Sequence, residues 1–399
     1  MMSHSPARIV ITGLGTHGAG GISVPALWEN TLRQNINVQE RTSSSGQRYV
    51  VYTAPDPHFE TKWPKIVKHA DRAAKLSLAA AKQAWADACL TRSNIDPHRV
   101  GVTVGSSRGP AGCSLAAGKP HPTDAVYSAF SSIAGVVAAE LAAARCAQMT
   151  SDTCISGAVA LQTACLQLQS HQLDVAVVGG VDAPLVDPLL EQFAAGGVLA
   201  SLTDREALRP FDQNRTGTVI GEGAAFVVVE TETHARERGA HIRGVIHAVA
   251  TGCEPHLRTS MSMNAQGMQQ RARRALRTCE IAAHDIDLLI LHGTGTRLND
   301  SMESRCVRHS FGPVEQQPYS LGTKAITGHT LGASSIFQLL VGLESVRHGF
   351  VPATANCTTL DPDCSIRLSR GVAAELHYGL CLTSGFCGNS SCIVFGPAR

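Results

Sequence analysis

Three short stretches carry residues whose types and spacing could do covalent chemistry. The first, SDTCISGA, sets Cys154 just ahead of Gly157, Ala158 and an apolar, helix-like run. A thiol at a helix N-terminus faces unpaired backbone N–H groups and the positive end of the macrodipole, and both favour the nucleophilic thiolate. The second, LLILHGTGTRLND, has a strand pattern that delivers His292 into a Gly/Thr loop. Thr294 and Thr296 then offer hydroxyls on alternate positions, suited to a chain of amides. The third, SLGTKAITGHTLGAS, places Lys324 five residues before His329, with glycines on both sides of the histidine. A cation near an imidazole keeps the ring neutral and adds positive field for an anion. Each stretch alone has an ordinary structural explanation: a buried small thiol, a strand-end histidine bonded to backbone, a solvated lysine. Taken together they suit carbon–carbon bond formation on thioesters. A cysteine would hold an acyl group while two imidazole N–H donors hold a second thioester carbonyl as carboxylate leaves and enolate charge develops.

The elements that must position these residues alternate along the chain. Strand patterns fall at 8–12, 100–104, 174–178, 224–229, 287–291 and 391–395, and helix patterns at 68–89, 155–169, 264–280 and 332–347. This alternation predicts an α/β protein with largely buried sheets, and the charged stretch 230–243 is its clearest seam. The two halves share a local pattern, with Cys154 before Gly157-Ala158 and His329 before Gly332-Ala333, 175 residues apart. A duplication of that register would put Cys154 and His329 at equivalent helix starts. With 399 residues and a net charge of +2, the chain lacks the basic excess that tracking nucleic acid requires. No run approaches a membrane span. The opening MMSHSPAR lacks a charged segment leading into a long apolar one, so the 13 cysteines are expected as reduced thiols in a cytoplasmic compartment. None forms a C-x-x-C pair, and no metal is expected.

The motif set resembles that of the elongating, type II β-ketoacyl-acyl-carrier-protein synthases over essentially the full length. VITGLGTHGAGG, DTCISGA, RPFDQNRTGTVIGEGAAFVVVE, LHGTGTRLND, GTKAITGHTLGAS and SGFCGNSSCIVFG occur in the family's order. The resemblance implies a thiolase-like fold, internally duplicated into α-β-α-β-α layers. Residues 1–238 would carry the nucleophile and 239–399 both histidines. It implies a decarboxylative Claisen condensation of malonyl-carrier protein with an acyl chain held on cysteine, in fatty-acid or, more in keeping with the departures below, polyketide or polyene assembly. The family's Cys–His–His triad falls on Cys154, His292 and His329, and its lysine on Lys324. The oxyanion hole falls on the backbone N–H groups of Cys154 and Phe386, and Phe386 also matches the aromatic gate. Thr294 and Thr296 match residues that contact pantetheine, and Glu222 and Glu303 fit ion-paired supports of the loops. Lys65, Lys68 and Arg205 occupy carrier-protein docking positions. The cluster Arg271, Arg273, Arg274 and Arg277 is a second basic candidate, which a solvated helix face also explains. The implied partners are an acyl carrier protein and a second subunit, identical or related. No cofactor is expected beyond the carrier's own phosphopantetheine.

This sequence departs from the family pattern in places. Thr153 replaces a common Ala, Gly295 a Ser, Thr218 a Phe, Cys387 a Gly and Ser390 an Asn. Segment 105–126 is short and puts Arg108 where the family lines its acyl pocket. These changes leave the chemistry in place and bear on chain preference and gate motion. A thiolase would need a second catalytic Cys at Gly385 and an Asn in place of His292. A three-residue Cys-His-Asn initiating synthase is disfavoured on the same histidine. A non-catalytic, chain-length-type partner subunit would lack the nucleophile. The literal G-x-G-x-x-G at Gly13, Gly15 and Gly18 suggests a dinucleotide site, but no helix opens directly on the third glycine and the next strand ends without an acidic residue. These glycines are expected to serve close packing in a first strand and its turn.

Overall fold

The computed structural model describes residues 7–91, 93–115, 122–201, 206–254, 262 and 264–398. Ten strands form one sheet: β1 (Ile9–Gly18), β2 (Val100–Gly105), β3 (Cys146–Thr150), β4 (Val175–Asp182), β5 (Gly223–Thr231), β6 (Gly244–Gly252), β7 (Leu288–Leu291), β8 (Tyr319–Gly322), β9 (Gly379–Ser384) and β10 (Ser390–Gly396). Their lateral order is β8-β7-β9-β10-β6-β1-β5-β4-β2-β3. Outward from the middle, each half runs first, fifth, fourth, second and third strand, so the same topology is written twice. The halves join where β1 and β6 pair antiparallel over Ile9–Ile11 alone.

Helices cover and separate these strands. The ones used below are α1 (Pro64–His69), α2 (Arg72–Asp87), α3 (Ser131–Leu141), α4 (Ser156–Gln169), α5 (Asp187–Ala195), α6 (Gln266–Cys279), α7 (Arg297–Phe311) and α8 (Ser334–His348). Successive strand side chains point to opposite faces, and the core divides accordingly. Val178 and Val227 meet Leu161, Ala164, Ile336 and Leu340 of the central helices α4 and α8, while Val177 and Val228 meet Leu76, Ala80 and Ile133 of α2 and α3. In the second half Ile290 and Ile393 face the centre, and Leu291 and Val394 face Met268 and Ala272 of α6. The two five-stranded halves of the sheet thus lie on either side of α4 and α8, each with helices on its outer face, giving helix, sheet, helix, sheet, helix layers. Helix α8 lies in a central layer: it is buried continuously from Ser334 to Ser345, and its buried Gln338 donates to the carbonyls of Ile290 and Leu382. No helix among the described residues is long and apolar enough to cross a membrane.

Two expectations are corrected here. Gly13, Gly15 and Gly18 all lie inside β1 rather than in a turn after it, and the next helix begins only at Val24. Their role in close packing does hold, because a Cβ on Gly13 or Gly15 would collide with the carbonyl oxygens of Ala84 and Ala80 on α2. The second correction concerns the repeat. Both central helices open on a 3-10 turn whose first residue has positive φ, Thr153 at 53° and Leu331 at 44°. These lie 178 residues apart, so Cys154 corresponds to Gly332. His329 therefore sits three positions upstream of the residue equivalent to Cys154, and the Gly-Ala match, with its spacing of 175, is not the structural register.

Candidate active site

Every chemical residue singled out in the sequence sits just beyond a strand end. His292 follows β7 directly; Lys324 opens a short helical turn after β8, and His329 comes next after that turn. Cys154 occupies the turn between β3 and α4, and Phe386 the loop between β9 and β10. Strands β7, β8 and β9 are parallel neighbours, so their carboxyl ends open together, the usual site of ligand binding in α/β sheets.

Cys154 Sγ lies 3.4 Å from His329 Nε2. The His292 and His329 rings meet edge to face, with centroids 5.2 Å apart and planes at 85°. One side-chain S or N atom from each of Cys154, His292 and His329 falls within 4.8 Å of the others, and all three residues are buried. Lys324 Nζ donates to His292 Nδ1 at 3.1 Å and to the His292 carbonyl at 2.5 Å. In sequence the lysine stands beside His329, but the fold hands it to His292. Ser334 Oγ lies 3.3 Å from His329 Nδ1.

Charge at this site follows from burial. Burial pushes the Cys154 thiol up to about 12, and the Lys324 and Arg108 charges oppose it only in part. The expected resting thiolate is therefore corrected to a thiol: desolvation outweighs the helix terminus. Burial and the Lys324 charge hold His292 and His329 well below the usual imidazole range, so both rings are neutral. Because Nδ1 of His292 accepts from the ammonium, the ring proton resides on Nε2. That N–H suits an oxygen acceptor rather than a metal, which would need a free lone pair there. Ser334 can donate to or accept from His329 Nδ1, so it serves either tautomer of that ring.

Residues 7–235 match the β-ketoacyl synthase N-terminal domain and residues 243–358 the β-ketoacyl synthase C-terminal domain. The chain belongs to the β-ketoacyl synthase family. It is 30% identical to the tetracenomycin polyketide synthase ketoacyl synthase alpha subunit of Streptomyces glaucescens, over 100% of this chain and 99% of that one. It is 27% identical to 3-oxoacyl-[acyl-carrier-protein] synthase 2 of Staphylococcus aureus (strain N315), over 97% and 98%. Among solved structures, the ishigamide ketosynthase/chain length factor superposes with a TM-score of 0.90 at 27% identity, covering 99% of this chain and 100% of that one. A type II acyl-carrier protein in complex with its ketosynthase bound to the hexaketide gives 0.86 at 26%, covering 99% and 100%. These structures establish the thiolase fold for this family member.

Around the β-ketoacyl synthase site, backbone is tied down by buried carboxylates. Glu303 accepts from the backbone N–H groups of His292 and Gly293 at 2.6 and 2.8 Å. It was expected in an ion pair, but its contacts are to backbone, and burial raises its pKa. Glu222 does form one, with Arg72 at 2.6 Å. Gly295 sits at φ 76° with its N–H on Asp300, so glycine fits where the family has serine. Thr294 and Thr296 hydroxyls lie 3.0 Å apart at the mouth of α7. Phe386 is 40% exposed, and the Cβ direction of Gly385 ends 3.1 Å from Cys154 N, which sets this loop against the nucleophile's backbone. Cys387, standing for a glycine, has φ 63°, and such a backbone costs a non-glycine residue about 1–2 kcal/mol.

Sequence reasoning missed Asp182, Asp300 and Ser334. Asp182 ends β4 and accepts from Ser106 Oγ, Ser107 N, Arg108 N and Gly332 N at 2.7 to 2.9 Å. One carboxylate thus joins the loop after β2 to the turn beyond His329. The sign available in sequence was an acid closing an otherwise apolar strand, VAVVGGVD. Asp182→Ala should lose about 3–5 kcal/mol in urea unfolding, since it strands buried N–H groups together. Asp182→Asn, which keeps one acceptor oxygen but turns an NH2 donor toward the other pair of donors, should recover only part of this stability.

Lys65 and Lys68 are exposed on α1, beside Trp63 and Ile66, at 47% and 39% exposure. A groove of about 430 Å³ lined by Lys68, Arg72 and Lys75 opens next to them. Arg205 lies outside the described residues. In the second basic cluster, Arg273, Arg274 and Arg277 are exposed along α6, and Arg271 packs over Gly252.

Proposed function

We propose that this chain is a ketosynthase that condenses malonyl-carrier protein with an acyl chain held on Cys154, in polyketide assembly. The observation that carries this reading is the meeting of Cys154, His292 and His329 within 4.8 Å, with Lys324 fixing the His292 tautomer. In the first half-reaction the thiol passes its proton to His329 Nε2 as sulfur attacks the carrier thioester; the pantetheine sulfur leaves and takes that proton from His329. In the second, Nε2–H groups of both histidines hold the malonyl thioester oxygen, and carbon dioxide leaves. The resulting enolate carbon attacks the acyl-Cys154 carbonyl, and the Cys154 and Phe386 N–H groups would donate to its oxyanion. The C–S bond breaks, and the Cys154 sulfur takes up one proton from solvent, the proton that loss of carbon dioxide from the malonyl carboxylate consumes. Thr294 and Thr296 would line the pantetheine arm. No step calls for a metal or a cofactor.

The polyketide and fatty-acid synthase relatives support the reaction type. The nucleophile and both histidines weigh against a non-catalytic chain-length-type subunit, and Gly385 and His292 weigh against a thiolase. The test is intact-protein mass after incubation with acyl-carrier proteins of varied length and unsaturation. An acyl adduct is expected, and it should vanish in Cys154→Ala. No adduct across the panel would instead favour the scaffold subunit.

The carrier protein is placed on the α1 surface, with a dimer of identical or related subunits as the working assembly. Reversing charge in Lys65→Glu/Lys68→Glu should raise KM for carrier-bound substrate about tenfold at low salt, with kcat held, and the effect should shrink as salt screens it. An unchanged KM removes this docking surface.

A further inference from the structure

Arg108 is a half-buried cation beside an apolar wall, and among the described residues its guanidinium has no carboxylate partner. Its backbone is fixed, because Arg108 N donates to Asp182 Oδ1 at 2.8 Å. Its guanidinium carbon lies 5.0 Å from the centre of the Phe193 ring on α5. Phe193 belongs to a cluster with Leu185, Leu189, Leu190, Ile220 and Leu331 that also includes Cys154. The Arg108 charge reaches the nucleophile, where it pulls the thiol's pKa downward. Yet Arg108 Nε is shut off from water and, among the described residues, has no hydrogen-bond partner. Among the described residues no carboxylate pairs with Arg108.

Such an arrangement is costly unless something completes it. A buried polar group without a partner loses about 1–3 kcal/mol, and an aromatic face compensates a cation only in part. A saturated acyl chain on Cys154 would fill the apolar wall and leave Arg108 Nε unmet. A chain with a carbonyl or carboxylate oxygen would satisfy it. Selection of this kind is strong in one direction: a site built to hydrogen-bond rejects the analogue that lacks the group far better than an apolar pocket rejects an added one.

We propose that Arg108 makes this site selective for acyl chains that carry an acceptor oxygen, with the guanidinium donating to that oxygen while the chain rests on Cys154. The proposal rests on the ketosynthase reading above and adds its substrate class. It also gives a physical role to a residue that stands where the family lines its acyl pocket.

The test compares Cys154 acylation rates for octanoyl-, 3-oxooctanoyl- and 7-carboxyheptanoyl-carrier protein by intact mass. Wild type, Arg108→Leu and Arg108→Lys are run in parallel. Each variant's rate ratio between chains is internally normalised, so a partial loss of folded protein does not disturb it. Wild type should take one or both oxygenated chains at least about tenfold faster than octanoyl. Arg108→Leu should bring that ratio to one or below, and Arg108→Lys should keep part of it. The two oxygenated chains separate a keto reader from a carboxylate reader. A ratio equal in wild type and Arg108→Leu, or a wild type that prefers octanoyl, overturns the proposal while leaving the ketosynthase standing. Absence of any adduct in wild type overturns both.

Discussion

His329→Ala should slow acylation of Cys154 by about 10²–10⁴-fold, the range for removing a positioned general base. The reason is the protonation state of the nucleophile. With its pKa pushed up by burial, the thiol at neutral pH is held in its protonated form. Within hydrogen-bond reach of the sulfur the structure places one imidazole nitrogen, at 3.4 Å. That ring is neutral because burial and Lys324 hold it so, and it can therefore accept the proton as sulfur attacks. Without it, acylation must draw on free thiolate. The residual rate should then climb about tenfold per pH unit as pH approaches the thiol's own range, whereas wild type stays nearly flat across neutral pH. Stopped-flow or quench-flow mass measurements between pH 6 and about 10 read both features. A residual rate that is flat with pH would show that the histidine acts on something other than the thiol proton.

Much of this site was legible in sequence because its parts are local. A nucleophile ahead of a small-residue helix start, a histidine at a strand end and a histidine between glycines each announce themselves over a dozen residues. Pairings across the fold were not legible. Lys324 lies five positions from His329, yet its ammonium meets His292, because β7 and β8 run parallel side by side and carry both residues to the same end. Asp182 and Gly332 are likewise joined only by the packing of β4 against the central turn. The thiol's ionisation was misjudged for a related reason: the helix terminus is visible in the sequence, whereas the depth of burial around Cys154 is set by residues from both halves of the chain. In the fold, the buried strands β4, β5 and β10 showed as apolar runs. Strands β3 and β8, with the sequences CAQMT and YSLG, did not. They are short outer strands whose pairing comes from β2 and β7 rather than from an apolar pattern of their own.

That exchange of partners makes Lys324 the residue whose loss should separate the two half-reactions. Lys324→Met keeps the volume of a buried side chain but removes the donor to His292 Nδ1. His292 is then free to place its proton on Nδ1 and present a lone pair where the malonyl thioester oxygen needs a donor. Decarboxylation and condensation should fall about 10²–10³-fold, the usual effect of losing one oxyanion donor. Acylation of Cys154, which relies on His329, should change by less than about tenfold. Carbon dioxide release from malonyl-carrier protein and the mass adduct on Cys154 measure the two steps separately. The pH dependence has a definite sign. Burial lowers the lysine's pKa, so as pH rises the ammonium is lost earlier than for an exposed lysine, and wild-type decarboxylation should decline on that alkaline limb. The methionine variant has no such proton to lose, and its remaining activity should lack the limb. If acylation and decarboxylation fell together in Lys324→Met, the lysine would be supporting the whole site rather than the His292 proton.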